Sequence, residues 1–477
     1  MLVLVLALVI AARIQTFNDP VIGFDEQYYL LVADRMLDGA LPYVDIWDRK
    51  PIGLFLLYAL AFVGGDPFVV YKLLAAGCVA ATALAIGVGA RREGGPAGAL
   101  LAALLYVVWL NFMEGEGGQA PVWYNLPVLI AALLVRRVHQ GRAPAGPCGL
   151  LAMALVGLAL QIKYTVVFEG LFFGLVLLRA GHRAWGRSPR LIGWGAAWVG
   201  VALAPTLTAL GFYLAIGEGN AFVFANFLSI FGRLPDPLGT RLAGLAVLVL
   251  VLLPLAALAM LSGRRKGRFS FDQLWAMAAA LGVLVFGSWL SPNYAIPVVP
   301  PLLLCAAPWL GRGRRSRAVG MGLIAVAFVG GQIAVAKTIE GKGTAAQARA
   351  VAEAARPRTG GCLWVWDGYP ALYMMTGSCL PTRWAFPGHL NTLDEASARA
   401  IGVDPQAEVR RILAARPETI VDDWPAYALG NRETRALVQA ELARTYALQV
   451  RIQTGSGRYR LVYRRKAEPA AAVRPSP

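Results

Sequence analysis

Long apolar runs separated by short polar breaks fill the chain up to about residue 337, and a mixed, charged pattern replaces them afterwards. Runs such as LAGLAVLVLVLLPLAALAML and FDQLWAMAAALGVLVFGSWL are each long enough, at about 1.5 Å of rise per residue, to cross a hydrocarbon core of about 30 Å as a helix. Transmembrane strands are shorter and alternate, so the pattern predicts helices rather than a barrel. It predicts eleven spans, near 1–17, 68–90, 96–113, 122–136, 147–162, 164–179, 191–215, 241–262, 273–290, 294–310 and 318–336. PIGLFLLYALAFVGG, residues 51–65, is apolar but short for a crossing and is expected to lie at the interface or to re-enter. The opening MLVLVLALVIAARIQTF has neither a basic n-region nor an A-x-A site near its end, so it reads as a retained first helix rather than a cleaved signal.

Beyond residue 338 a small α/β domain is expected. AAQARAVAEAAR and RETRALVQAELARTY have helical period, whereas GCLWVW, ETIVDD, ALQVRI and RYRLVYRR read as strands, the last two joined by a QTGSG turn. The resulting division is 1–337 for the membrane domain, 338–466 for the soluble domain and 467–477 for a disordered tail. No internal repeat is evident, which weighs against an inverted-repeat transporter.

Composition and charge give these elements an orientation. Of 477 residues, 57% are hydrophobic and only 15% charged, outside the range of ordinary soluble domains. The formal charge of +17 comes from short basic clusters between apolar runs: Arg91-Arg92, Arg136-Arg137 with Arg142, Arg179 to Arg190, Arg264-Arg265-Lys266 with Arg268, and Arg312 to Arg317. These behave as cytoplasmic loops under the positive-inside rule and lack the interleaved aromatics of a nucleic-acid surface. Reading 51–65 as a non-crossing segment puts every cluster on one side. Loops 18–67, 114–121 and 217–240 and the C-terminal domain then face outward, taking most acids with them. Five scattered cysteines and three distant histidines form no zinc pattern. Cys362 and Cys379 fall in the exported domain, where either a disulfide or two free thiols is compatible with the sequence.

The first outward loop concentrates the chemistry. In GFDEQYYLLVADRMLDGALPYVDIWDRKP, residues 23–51, Asp25 and Glu26 follow the first span closely enough to lie at the membrane surface. Partial burial beside Phe24 and Tyr28 would raise the pKa of Asp25 and suit it to general-base work; the competing reading is an N-cap for the helix that follows. Lys50, before Pro51, is placed to hold a phosphate or to snorkel beside anionic lipid. Lys163, in QIKYTVVFEG, sits at an outer junction of two spans, with Glu169 or a first-loop carboxylate as its simplest partner. Glu114 and Glu116 add acids to a glycine-rich second loop, either lining a substrate or forming a solvated turn. Together with Asp45 or other first-loop acids they offer oxygen ligands of the type Mg²⁺ or Mn²⁺ prefers, without specifying a geometry. Tyr294, in NYAIPVVPP, belongs at an outer membrane edge with or without a substrate role.

Taken together, these residues resemble the GT-C superfamily of polytopic glycosyltransferases, in particular bacterial relatives of protein O-mannosyltransferases and of the lipid A aminoarabinose transferase. DEQYYLLVADRMLDGALPYVDIWDRKP carries the most specific part: an Asp-Glu pair, a helix, a glycine-containing turn, an acid and a Lys-Pro. QIKYTVVFEG, NYAIPVVPP and VWDGYPALYMMTGSCLPTRWAF support it. The resemblance implies a GT-C-like bundle of about eleven transmembrane helices, with juxtamembrane helices in the first outer loop and a small outer α/β domain. It also implies a polyprenyl-phosphate sugar as donor and an acceptor on the outer face of a bacterial inner membrane: lipid A or lipopolysaccharide, another envelope glycan, or a protein. By the same resemblance Asp25 lies at the reaction centre and Lys50 contacts donor phosphate. The expected reaction is an inverting displacement in which Asp25, with Glu26, orients or deprotonates the acceptor, while Asp45 and Asp48 compete for that role and Lys163 joins Lys50. A lipid-linked glycan flippase or exporter is the alternative, its first-loop acids and Lys163 lining a path.

Overall fold

A computed structural model describes residues 1–262, 269–358 and 360–467. The basic cluster at 264–268 and the tail from 468 onward lie outside the described residues. Contacts divide the chain into two compact units. The first comprises Met1–Ala33, Lys50–Val223 and Asp236–Thr338; the second comprises Asp34–Arg49, Phe224–Pro235 and the chain from Ile339 onward. The first outer loop is thus shared between the two units, and its middle stretch belongs with the C-terminal region.

The first unit is a bundle of apolar helices. Leu2–Arg13 (α1), two legs of Pro67–Trp109, Ala120–His139, Ala145–Leu160, Val167–Trp185, Pro189–Ala215, Leu238–Leu261, Phe271–Phe286, Val299–Gly311 and Arg314–Lys342 overlie the eleven apolar segments of the sequence. By length and composition, seven helical stretches among the described residues could cross a membrane, the two-legged helix being one of them. Leu2–Arg13, Ala145–Leu160 and Phe271–Phe286 are shorter than that measure, so eleven crossings are not reached on helix length alone. The chain is a multi-pass membrane protein. Its two-legged helix breaks at Gly95, where φ is +62°. A glycine tolerates that angle, and Pro96 removes both a hydrogen bond and the α conformation of the residue before it. Beside this break, a Cβ at Gly94 would meet the carbonyl oxygen of Ala307 at 2.7 Å, so a small residue is what lets the helix Val299–Gly311 pack there.

Between the first two apolar helices run α2 (Phe24–Leu37) and the short α3 (Ile52–Ala59), continued by a 3₁₀ turn to Val63. The latter spans about 18 Å at 1.5 Å per residue, too short to cross, as the sequence pattern indicated. Rings tie these pieces together. Tyr29 of α2 packs edge-on against Tyr58 of α3 at 5.5 Å, and Tyr58 lies 5.2 Å from Tyr71 and 6.0 Å from Trp123.

The second unit contains the α/β domain. Its strands are β1 (Leu363–Val365), β2 (Thr419–Trp424), β3 (Tyr446–Gly455) and β4 (Arg458–Arg465). They form one sheet in the order β1-β2-β4-β3, with β1 and β2 parallel and the other pairs antiparallel. The expected QTGSG turn is tighter than read: β3 continues to Gly455, leaving Ser456 and Gly457, the latter at φ +67°, an angle that glycine tolerates. A capping box of Thr344 and Gln347 starts the helix Ala345–Ala355. Cys362 and Cys379 are joined by a disulfide, their Cα atoms 5.2 Å apart. Segment 34–49 is fastened within this unit by Arg49, which forks onto Glu395 at 2.5 and 2.7 Å and donates to the Ala400 carbonyl at 2.9 Å. Arg233, from segment 224–235, shares Glu395 at 3.2 Å and pairs with Asp394.

Candidate active site

Helix α2 begins at Phe24, so Asp25 and Glu26 both fall in its first turn, where the helix dipole favours negative charge. Asp25 is therefore inside the helix rather than its N-cap; the Gly23 carbonyl accepts from Gln27 N–H at 3.0 Å. Adjacent helix positions differ by about 100°, and the two acids part accordingly. Asp25 is half-buried, whereas Glu26 is 1% exposed. Glu26 packs where a Cβ on Gly23 or Gly117 would stand, and Tyr71 donates to it. It lies in the interior of the first unit.

That interior is held by two cations which the sequence reading passed over. Arg13, 1% exposed at the end of α1, donates to the carbonyls of Glu116 and Gly117 at 2.7 and 2.9 Å and to that of Gly115. Lys72 donates to the Thr16 carbonyl at 2.7 Å and to that of Asp19. Glu26 is within electrostatic reach of both. A cation inside an apolar helix was the available signal, because such charges persist only when paired or functional. The second outer loop is thereby fixed over Glu26. Glu116 is buried at 7% exposure, while Glu114, at φ +54°, turns outward and accepts from Asn293 Nδ2 at 2.8 Å. Glu116 thus gives its carbonyl to this backbone staple, and Glu114 makes a surface contact.

Lys50, Lys163, Asp25 and Tyr294 come together in the first unit. Lys50 Nζ stands 5.2 Å from the Tyr29 ring centre, and Lys163 Nζ 3.4 Å from that of Tyr294, both within cation–π range. Lys163 follows the helix Ala145–Leu160 and is 7% exposed. Burial lowers its pKa; Tyr294 opposes the shift, Lys50 adds to it, and Asp25 opposes it. Glu169 is not its partner, because that carboxylate accepts from Trp275 Nε1 at 2.7 Å. Among the described residues Lys163 has no carboxylate in ion-pair contact, and Lys50, a like charge, is in reach.

Asp45 and Asp48 belong to the second unit. Asp48 is 5% exposed and accepts from the Arg49 N–H at 2.5 Å; Asp45 is exposed and accepts from the Leu41 N–H at 2.8 Å. Among the described residues no group of three or more His, Cys, Asp or Glu side chains is arranged to hold a metal ion. Glu114 accepts from Asn293, and Glu116 contributes its backbone carbonyl to Arg13.

No family model and no curated protein sequence matches the chain. Solved structures do. ArnT from Cupriavidus metallidurans, solved bound to undecaprenyl phosphate, superposes with a TM-score of 0.64 over 97% of this chain and 97% of that one, at 16% identity. The Archaeoglobus fulgidus oligosaccharyltransferase tethered to an acceptor peptide matches at 0.53, with 13% identity over 88% of this chain and 68% of that one. The mycobacterial arabinofuranosyltransferase AftD matches at 0.51 and 14% identity over 98% of this chain, which spans 41% of AftD. The fold is that of the GT-C superfamily.

Proposed function

We propose that the protein is a membrane glycosyltransferase that moves a sugar from a polyprenyl-phosphate donor to an envelope acceptor on the outer face of a bacterial inner membrane. The observation carrying this reading is the pair of like-charged lysines, Lys50 and Lys163, within reach of each other beside Asp25. Two cations near one another, one of them buried, favour a further anion beside them. A lipid-linked phosphate is such an anion, and a GT-C neighbour was solved with undecaprenyl phosphate.

In the reaction the acceptor hydroxyl attacks the anomeric carbon, the bond from that carbon to the phosphate oxygen breaks, and configuration inverts. Asp25 orients the hydroxyl and takes its proton, a role worth about 10²–10⁴ in rate. Lys50 and Lys163 take up the charge that builds on the leaving phosphate. Tyr294 holds Lys163 in place through its ring. Glu26 supports α2 from the interior, and Asp48 is assigned to the turn that leads into Lys50. Residues 338–466 form the outer soluble domain, on the acceptor side.

The test is mass spectrometry of envelope glycolipids and glycoproteins from a deletion strain carrying wild type or Asp25→Asn at equal membrane abundance. One sugar restored by wild type alone is the expected result, and it identifies both the sugar and its acceptor. Equal restoration by both removes Asp25 from catalysis and moves the reading to Asp45, Asp48 or lipid-linked glycan transport.

A further inference from the structure

In the first unit the segment RAGHRAWGRSPR, residues 179–190, joins two helices long and apolar enough to cross a membrane, and it carries four arginines and no carboxylate. The helix Val167–Trp185 ends there, the chain turns at Gly186, whose N–H donates to the His182 carbonyl at 2.8 Å, and Pro189–Ala215 follows. Trp194 and Trp198 stand four positions apart on that second helix and therefore share a face. Small residues on the helix Ala145–Leu160 admit them. A Cβ at Gly146 would meet Trp194 Cε2 at 2.7 Å and one at Gly149 would meet Trp198 Nε1 at 2.6 Å, while Trp198 Nε1 donates to the Gly146 carbonyl at 3.2 Å. Trp185 completes the stack, its ring centre 6.3 Å from that of Trp194 and 6.5 Å from that of Trp198, with interplanar angles of 22° and 32°. Three indoles thus form one wall where two membrane helices meet, and rings with an apolar body and a polar tip belong at the headgroup level.

The arginines accompany this wall without anions of their own. Arg179, Arg183, Arg187 and Arg190 are all exposed, and among the described residues none is in ion-pair contact with a carboxylate. Arg136 of a neighbouring basic cluster, by contrast, is neutralised by Asp272 at 3.0 Å. The guanidinium carbon of Arg190 stands 5.2 Å from the Trp185 ring centre, within cation–π range. Arg179 and Arg183, one turn apart, both act electrostatically on His139, so the positive charge extends to the end of a third helix, Ala120–His139. Guanidinium forks match phosphate geometry, and basic residues at the end of membrane helices attract anionic headgroups. A soluble anion would satisfy the arginines and leave the indoles without a partner, whereas a lipid engages both. We infer that this hairpin is a binding site for an anionic phospholipid, its headgroup phosphate on the arginines and its glycerol and first acyl carbons against the indoles. The site shares no residue with Asp25, Lys50 and Lys163 and does not depend on the reaction proposed for them.

Native mass spectrometry of the detergent-solubilised full chain, titrated with phosphatidylglycerol or phosphatidylcholine, reads this directly. The first phosphatidylglycerol should be held about tenfold more tightly than the first phosphatidylcholine. Arg183→Gln and Arg190→Gln should each weaken phosphatidylglycerol about fivefold, the scale of one basic residue beside anionic lipid. Trp185→Leu should weaken it about two- to fivefold through the lost cation–π contact. Arg92→Gln, which alters an exposed arginine of another basic loop, should change nothing. Melting temperatures check that each variant is folded, and because Arg183 and Arg190 lie on different helices, either one decides the result alone. Equal affinity of wild type for the two lipids overturns the inference. So does an equal loss in Arg92→Gln and Arg183→Gln, which assigns the preference to loop charge in general. A preference kept by Arg183→Gln and Arg190→Gln but abolished by Lys50→Ala also overturns it, since the lipid then occupies the proposed donor site.

Discussion

The two units bury charge in opposite ways. In the second, buried ions meet ions: Arg49 forks onto Glu395, Arg435 reaches Asp422 at 3.2 Å, and Arg458 and Arg460 converge on Asp423. In the first, Arg136 also pairs with Asp272 at 3.0 Å, but three further buried cations meet dipoles and rings: Arg13 and Lys72 end on backbone carbonyls, and Lys163 on the face of Tyr294. An ion paired with an ion has spent its charge on structure, and removing one partner strands the other. A cation on a carbonyl or a ring leaves no ionic partner stranded when it is removed. On the reading proposed above Lys163 serves the substrate, whereas Arg49 serves architecture, although both are buried or nearly so.

Substituting one residue of each kind would break or sharpen this contrast. Lys163→Met keeps the volume, removes a desolvated cation and leaves no carboxylate stranded. It should cut kcat by about 10²–10³, or 2.7–4 kcal/mol of barrier, the scale of losing one donor to a developing anion. The melting temperature in detergent should stay close to that of wild type. A large fall in melting temperature with activity retained would make Lys163 structural and erase the distinction. Arg49→Ala should do the reverse. It strands Glu395, 4% exposed, at a cost of about 3 kcal/mol, the low end for a broken buried pair because Arg233 still reaches that carboxylate. The readout is chemical unfolding of the purified protein, and an unchanged midpoint would show that Arg49 does not fasten segment 34–49.

The sequence pattern anticipated the apolar helices, the short segment after Lys50 and the four strands, because local periodicity determines each of them. It also led to Asp25, Lys50, Lys163 and Tyr294, which the fold gathers in one unit. It treated Asp25 and Glu26 as a pair, whereas one step along a helix sends neighbours to different faces, and Glu26 went inward. Arg13 and Lys72 were absorbed into hydrophobic runs, since hydropathy averages hide a single cation whose partners are carbonyls far along the chain. The assignment of segment 34–49 to the C-terminal unit rests on Arg49 meeting Glu395, a pairing across 346 positions that no local pattern encodes. Glu169 looked like a partner for Lys163 because it is near in sequence, but the indole of Trp275 had the better geometry.

The ion-rich side of the contrast has a weak point that pH can probe. Asp367, at the end of β1, is held up to about 7 by burial and by Asp423 and Asp422 beside it, with Arg460 and Arg435 opposing. Its carboxyl carries a proton in the folded chain under conditions in which the unfolded chain, with an ordinary Asp pKa of about 3.9, has lost it. Between roughly pH 4 and pH 7 the folded state therefore binds more protons than the unfolded state, and stability falls as pH rises. The contribution is fully present below the unfolded pKa and gone above the folded one, with a slope of at most about 1.4 kcal/mol per pH unit. Asp367→Asn supplies a permanently neutral group of the same shape. Its melting temperature should match wild type near pH 4, exceed it at pH 8, and fall less steeply between them. If wild type and Asp367→Asn follow parallel curves across that range, Asp367 does not titrate there and its burial is balanced by Arg460 and Arg435.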